Sequence, residues 1–258
     1  MPSRKRNKGR DRKAKKAALE VERMERQRGI LRNTWQCLAR GVDLNGQSIE
    51  CNHGIALMIP DEYNHPVINF IDELLVYGAH ENNNVHVGQY LRDTFTTHQE
   101  VWDNERYREM TVNIFLAFGT NFMLRARSEH ASVPRNVAMA VVALENYDGS
   151  GAFVVYNRVA STKMRDLLGG HSLREMLKFF RKRTSCKCLK DMHLQARNTL
   201  PKVGMCYHCH EVKDRALLMV CSRCGVSQYC SGECQMAHWP THKCRCDAYI
   251  RVQNQQSK

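Results

Sequence analysis

Eight cysteine and histidine side chains fall into four close pairs near the end of this sequence, and no other feature restricts its folding so tightly. The pairs are Cys206-x2-Cys209, Cys221-x2-Cys224, Cys230-x3-Cys234 and His242-x3-Cys246. Zinc takes four soft or borderline ligands at tetrahedral corners. A C-x2-C pair supplies two corners by curling the backbone into a tight knuckle. An x3 pair supplies two by spanning one helical turn, where residues four apart share a face. Four pairs within 41 residues make eight ligands, the complement of two closed sites, so two Zn²⁺ ions are expected. Every corner is filled by protein, which leaves no open position for water or substrate and makes both sites structural. Spacing alone leaves open which pairs share a metal.

The residues around the ligands agree with this reading. Ser231 is placed to cap a helix carrying Cys234 and His238, and Pro240 is expected to stop that helix from running straight on. Such a break would re-aim the chain so that His242 and Cys246 reach a different metal from Cys234.

The run YCSGECQMAHWPTHKCRC, placed after two C-x2-C pairs, resembles the MYND finger. Its matching parts are Tyr229-Cys230-Ser231, Cys234-Gln235, His238-Trp239, His242-Lys243 and Cys246. The resemblance implies interleaved sites. One would use Cys206, Cys209, Cys230 and Cys234, the other Cys221, Cys224, His242 and Cys246. Cys246 then falls four after the histidine, and Cys244, which could compete for metal, is an extra, as are His208 and His210. The family habit also implies docking of a proline-rich peptide of a protein partner, in extended form, at Ser222, Gln235 and Trp239, often to assemble transcriptional regulators. Trp239 could instead pack the small core.

The rest of the chain reads as mainly α. Val67, Ile68, Ile71, Leu74 and Leu75 recur at helical spacing, with Gly78 at the expected C-cap. Tyr107, Met110, Ile114, Phe118 and Phe122 make a second stripe, widened by Phe115. A third helix is expected after Pro134 and runs to the turn at Asp148-Gly149, whereas the periodicity of AFVVYNRVA fits a strand or a helix equally. A further helix has Ser172 as N-cap and Leu173, Met176, Leu177 and Phe180 on one face. The domains expected are a basic, largely disordered tail over 1–30, a helical domain over 31–195 and the finger over 203–248. Cys186, Cys188 and His193, with Cys37 or Cys51, could form a further metal site, but ordinary thiols are the expectation. Cys51-x-His53 is read the same way.

Charge locates the candidate contacts. Residues 1–28 hold 12 Lys/Arg against 4 Asp/Glu, too polar to offset ordering entropy in the first half, although a charge-laced helix could start near Ala14. Such a tail serves as a solubiliser, an import signal or a non-specific nucleic-acid arm, or it could lie on the acidic middle of the chain. Residues 206–246 carry 5 Lys/Arg and 3 Asp/Glu. Seven thiolates and two Zn²⁺ bring the finger to about −1, so it does not suit phosphates. No apolar run suggests a membrane span and no secretory signal is seen, so the expected setting is intracellular, nuclear rather than cytoplasmic. No Walker loop, nucleophile elbow or dinucleotide fingerprint appears. Some MYND proteins carry a lysine methyltransferase with an Asn-His-Ser-Cys-like motif largely downstream of the finger. Here twelve residues follow Cys246 and Asn52-His53-Gly54 is no substitute, so no enzymatic activity is expected. The function expected is that of an adaptor whose finger docks a partner peptide.

Overall fold

The computed structural model describes residues 4–42, 59–62, 64–80, 97–125, 132–147, 149, 157–168 and 173–256. Among the described residues, eight helices precede the finger: α1 (Arg4–Ala39), α2 (Pro66–His80), α3 (Gln99–Asp103), α4 (Glu105–Arg125), α5 (Ser132–Glu145), α6 (Arg158–Leu168), α7 (Leu173–Arg181) and α8 (Lys187–Thr199). None of the described helices is long and apolar enough to cross a membrane.

Helix α5 is the centre. Its stretch Val137-Ala-Met-Ala-Val-Val-Ala-Leu144 is buried on every side, as expected of a helix apolar all round, and it packs against α2, α4, α6 and α7. Pro134 sits within its first turn, where no intrahelical N–H is lost. The stripes expected on α2 and α4 are the faces that meet this core, with Val67, Ile71, Leu74, Ile114 and Phe115 each essentially inaccessible. Helix α2 runs two residues past Gly78 to His80, so that glycine lies inside the helix rather than capping it. The ambiguous AFVVYNRVA run is helical from Arg158 onward, while residues 151–156 and Ser172 lie outside the described residues.

Helix α1 joins the core by its last third. Trp35 and Ala39 are buried. The Asp72 carboxylate of α2 accepts from Arg32 Nε (2.6 Å) and Trp35 Nε1 (2.7 Å). Gly41, at φ +72, ends the helix: its N–H reaches the Leu38 carbonyl and that of Val42 reaches Cys37. Helix α1 begins at Arg4. Lys, Arg and Ala are good helix formers, and a helix already seated in the core extends without a new nucleation cost. Residues 12–30 are all exposed.

Candidate metal centre

The finger begins three residues after α8. Strands β1 (Val203–Met205) and β2 (Val212–Asp214) form one antiparallel hairpin, and β3 (Met219–Val220) pairs with β4 (Gln228–Tyr229) in another. A short 3-10 turn, Arg215–Leu217, joins them, and helix α9 (Gly232–Gln256) follows.

Both hairpins build the same knuckle. The N–H of His210 reaches the Cys206 carbonyl (3.0 Å), and that of Gly225 reaches Cys221 (2.8 Å). The residue four after the first cysteine has left-handed backbone in each case, His210 at φ 59 and Gly225 at φ 68. Gly225 has a second reason to lack a Cβ, because the Arg158 guanidinium of α6 lies where one would project. His208 and His210 are exposed knuckle residues.

Helix α9 supplies the remaining ligands. Ser231 caps it, with the Cys234 N–H donating to Ser231 Oγ at 3.2 Å. The expected break at Pro240 does not occur, and α9 is continuous through it. Proline withdraws one N–H, yet a single missing bond does not end a helix held by ligands on both sides. Re-aiming is also unnecessary: eight residues at 1.5 Å each carry His242 about 12 Å along the axis from Cys234, far enough for a second site.

The side chains gather into two groups, Cys206 with Cys209, Cys230 and Cys234, and Cys221 with Cys224, His242 and Cys246. Within each group the donor atoms lie within 4.8 Å of one another. Observed spacings are 3.6 Å for Cys209–Cys230 and 3.4 Å for Cys230–Cys234 between sulfurs, and 3.7 Å from Cys224 Sγ to His242 Nε2. A zinc tetrahedron with arms near 2.3 Å has edges of about 3.8 Å, so both groups fit the ion. The pairs interleave along the chain, which makes the two sites cross-braced.

Electrostatics favour a cation in each. Burial opposes ionisation of Cys206, but the amides of Cys209, Cys230 and His208 bring its thiol down to about 7. Cys221 is likewise lowered against its burial by the amides of Cys224 and Arg223. Burial, then the neighbouring Cys224 and Cys221, pushes the Cys246 thiol up to about 12. Crowded thiolates of this kind need a positive ion between them, and a metal deprotonates such a thiol outright. His242 is held below the usual imidazole range by burial and by Arg245, in the neutral form that ligates. Its Nδ1 faces Ser227 Oγ at 3.3 Å, which leaves Nε2 for the metal. Ser227 carries no signal in the ligand spacing and was not anticipated.

The sites differ in exposure. All four ligands of the His242 group are buried, whereas Cys209 is exposed and Cys230 and Cys234 are half-buried. Attack by a chelator or alkylating agent should therefore begin at the first group. With limiting iodoacetamide and chelator, mass spectrometry should find Cys209, Cys230 and Cys234 modified before Cys221, Cys224 and Cys246. Simultaneous modification of both sets would contradict this order.

Other sequence candidates separate here. Among the described residues only these two groups gather three or more ligating side chains. The sulfur of Cys186 accepts from the Leu189 N–H at the start of α8, Cys188 is exposed and His193 is buried, and the three do not form such a group. Cys37 lies on α1, with its sulfur 3.7 Å from Asn33 Oδ1, while Cys51 and His53 lie outside the described residues. Cys244 is exposed and belongs to neither group. Ser222 is exposed in the second knuckle. Gln235 and Trp239, four apart on α9, lie at the surface, Gln235 half-buried and Trp239 36% exposed.

The helical domain grips the finger at the second knuckle, which the sequence reading missed. Arg165 of α6 is buried and donates from Nη1 to the Val226 carbonyl at 2.9 Å. Its Nε and Nη2 hold Asp166 Oδ1 at 3.0 and 2.9 Å, and that oxygen also pairs with Arg215 of the finger at 2.7 Å.

The family model described as MYND finger matches residues 206–246, the span of the two groups. No curated protein and no solved structure matches the chain. Residues 206–246 are a MYND finger, a zinc-binding protein-interaction domain.

Proposed function

We propose that the protein is a non-enzymatic adaptor whose finger docks a proline-rich partner segment in extended form, in a nuclear, transcription-related setting. The observation that carries this reading is the exposure of Trp239. On a scaffold whose core holds few side chains, a structural tryptophan would be buried, yet this one is 36% exposed and meets His242 edge-on at 5.9 Å. Further apolar side chains accompany it at the finger surface: Met219 and Val220 on β3 are 44% and 45% exposed.

A flat aromatic on a rigid support suits proline rings, and a two-stranded sheet keeps free edges to which an extended peptide can hydrogen-bond. Ser222 and Gln235 would supply polar contacts that set orientation. Metal chemistry is absent from this role, because the ions hold the scaffold and every corner is taken by protein.

The test is binding of the zinc-loaded protein to an array of proline-rich peptides, with Trp239→Ala alongside. Loss of an exposed aromatic anchor should weaken selective peptides by about 2 kcal/mol, or roughly 30-fold, with zinc content unchanged. Equal affinity in the variant would remove the docking role.

A further inference from the structure

The first half of α1 concentrates like charge along one helix. Residues 4–16 hold nine Lys/Arg and one Asp on a continuous helix. Four like-charged pairs stand four residues apart: Arg4–Lys8, Arg6–Arg10, Lys8–Arg12 and Arg12–Lys16. Each such pair destabilises a helix by about 0.2–0.5 kcal/mol, and Asp11 is the single acidic residue among them. From Glu20 onward the signs alternate, with Glu22–Arg26 and Glu25–Arg28 at favourable spacing. The repulsion is confined to the outer half, and a polyanion would relieve it.

Helical register indicates which polyanion. At about 100° per residue, the nine basic positions cover roughly two-thirds of the circumference. The remaining strip is Asn7, Asp11, Ala14 and Ala18, small or polar residues four, three and four apart. A narrow strip able to face base edges, flanked on both sides by cations, matches a groove with a phosphate backbone on each wall. The B-form major groove is about 12 Å wide and admits an α-helix, and its edges can be met by Asn, Asp and Ala. The A-form major groove is too deep and narrow. Burial of a helix in a membrane interface needs an apolar face beside its cations, and residues 4–16 contain no large apolar side chain. Self-pairing as a coiled coil is also poorly served: Ala17, Val21 and Met24 extend the spacing of Leu31, Trp35 and Leu38, but Arg28 interrupts it.

The arm is held for this use. Arg32 and Trp35 are bonded to Asp72, whereas residues 12–30 are exposed throughout. The basic block thus stands about 20 Å or more beyond the anchored residues. We propose that residues 4–18 of α1 form a DNA-binding arm that lies in the major groove of duplex DNA, independently of the finger.

The experiment uses the full-length, zinc-loaded protein and fluorescence anisotropy with a duplex of about 20 base pairs, two turns. Duplex RNA of the same sequence and phosphatidylserine vesicles are run in parallel. Each phosphate contact contributes about 0.9 to the slope of log K against log salt, so replacing Arg12, Lys13, Lys15 and Lys16 by Gln should lower that slope by about 3.6. Ala18→Pro preserves the charge and breaks the helix. It should weaken DNA binding about tenfold, because phosphate contacts on both walls then lose their common scaffold. Neither variant touches the core, so their unfolding midpoints should match that of the parent. The proposal fails if the proline variant binds DNA as the parent does. It fails also if the fourfold variant keeps the parental slope, or if RNA or vesicles bind as tightly as DNA.

Discussion

Replacing Cys224 with serine should collapse the finger while the helical domain stays folded. The buried hydrophobic cluster of the finger is Cys206, Cys221, Cys224, Val226, Tyr229 and Cys246, and four of these six are metal ligands. Without ions the core is Val226 and Tyr229 with a few partly buried neighbours, and its strands are two or three residues long. A structural zinc contributes about 10–16 kcal/mol of apparent binding energy, which is as large as the stability of a whole ordinary domain. Cross-bracing spreads the damage, because losing the second ion releases the chain that positions Cys230 and Cys234. Bound zinc should fall from two per chain to one or fewer, and the amide signals of residues 203–256 should lose dispersion. Cys244→Ser is the control: that thiol is exposed and outside both groups, so it should retain two ions and the parental spectrum. Two ions and an unchanged spectrum in Cys224→Ser would refute the assignment. Acid should act in the same direction. His242 has a folded pKa below its ordinary 6.5, so it contributes stability above that pH and loses it as pH falls further.

The metal sites were legible because ligation leaves a short-range pattern: two knuckles and two helical pairs are each complete within five residues. The pairing of sites is a long-range fact that spacing could not provide, and it entered through a resemblance that the two observed groups support. Apolar stripes revealed α2, α4 and α7 for a similar local reason. Helix α5 was visible as a long apolar run, but only packing shows it as the centre. Pro240 misled because a rule about one residue was set against a helix fixed at both ends by ligands. Ser227 and Arg165 left no trace at all. Their roles depend on what lies opposite them, and a lone serine or a charged residue on an amphipathic helix looks the same wherever it points.

Arg165 therefore provides the sharpest test of how finger and helical domain are joined. Its guanidinium is buried, and it spends its donors on three targets, the Asp166 carboxylate and the Val226 and Gly225 carbonyls of the second knuckle. Substitution by leucine keeps apolar volume at the interface and removes every donor. Removing one partner of a buried pair usually costs about 3–5 kcal/mol. Here Asp166 is a quarter exposed and retains Arg215, so less of that penalty applies. The stranded Val226 carbonyl adds about 1–3 kcal/mol. A net loss of about 2–4 kcal/mol is expected, which in a protein of this size lowers the unfolding midpoint by roughly 4–16 °C. Arg165→Lys should recover little, because an ammonium lacks the planar fork that puts two donors on Asp166 Oδ1 while a third nitrogen reaches the knuckle. Amide exchange would locate the effect: Gly225, Val226 and the residues of α6 should lose protection, while α5 keeps it and two zinc ions stay bound. A midpoint within 1 °C of the parent, or loss of protection spread evenly over the chain, would mean that the two parts are joined elsewhere.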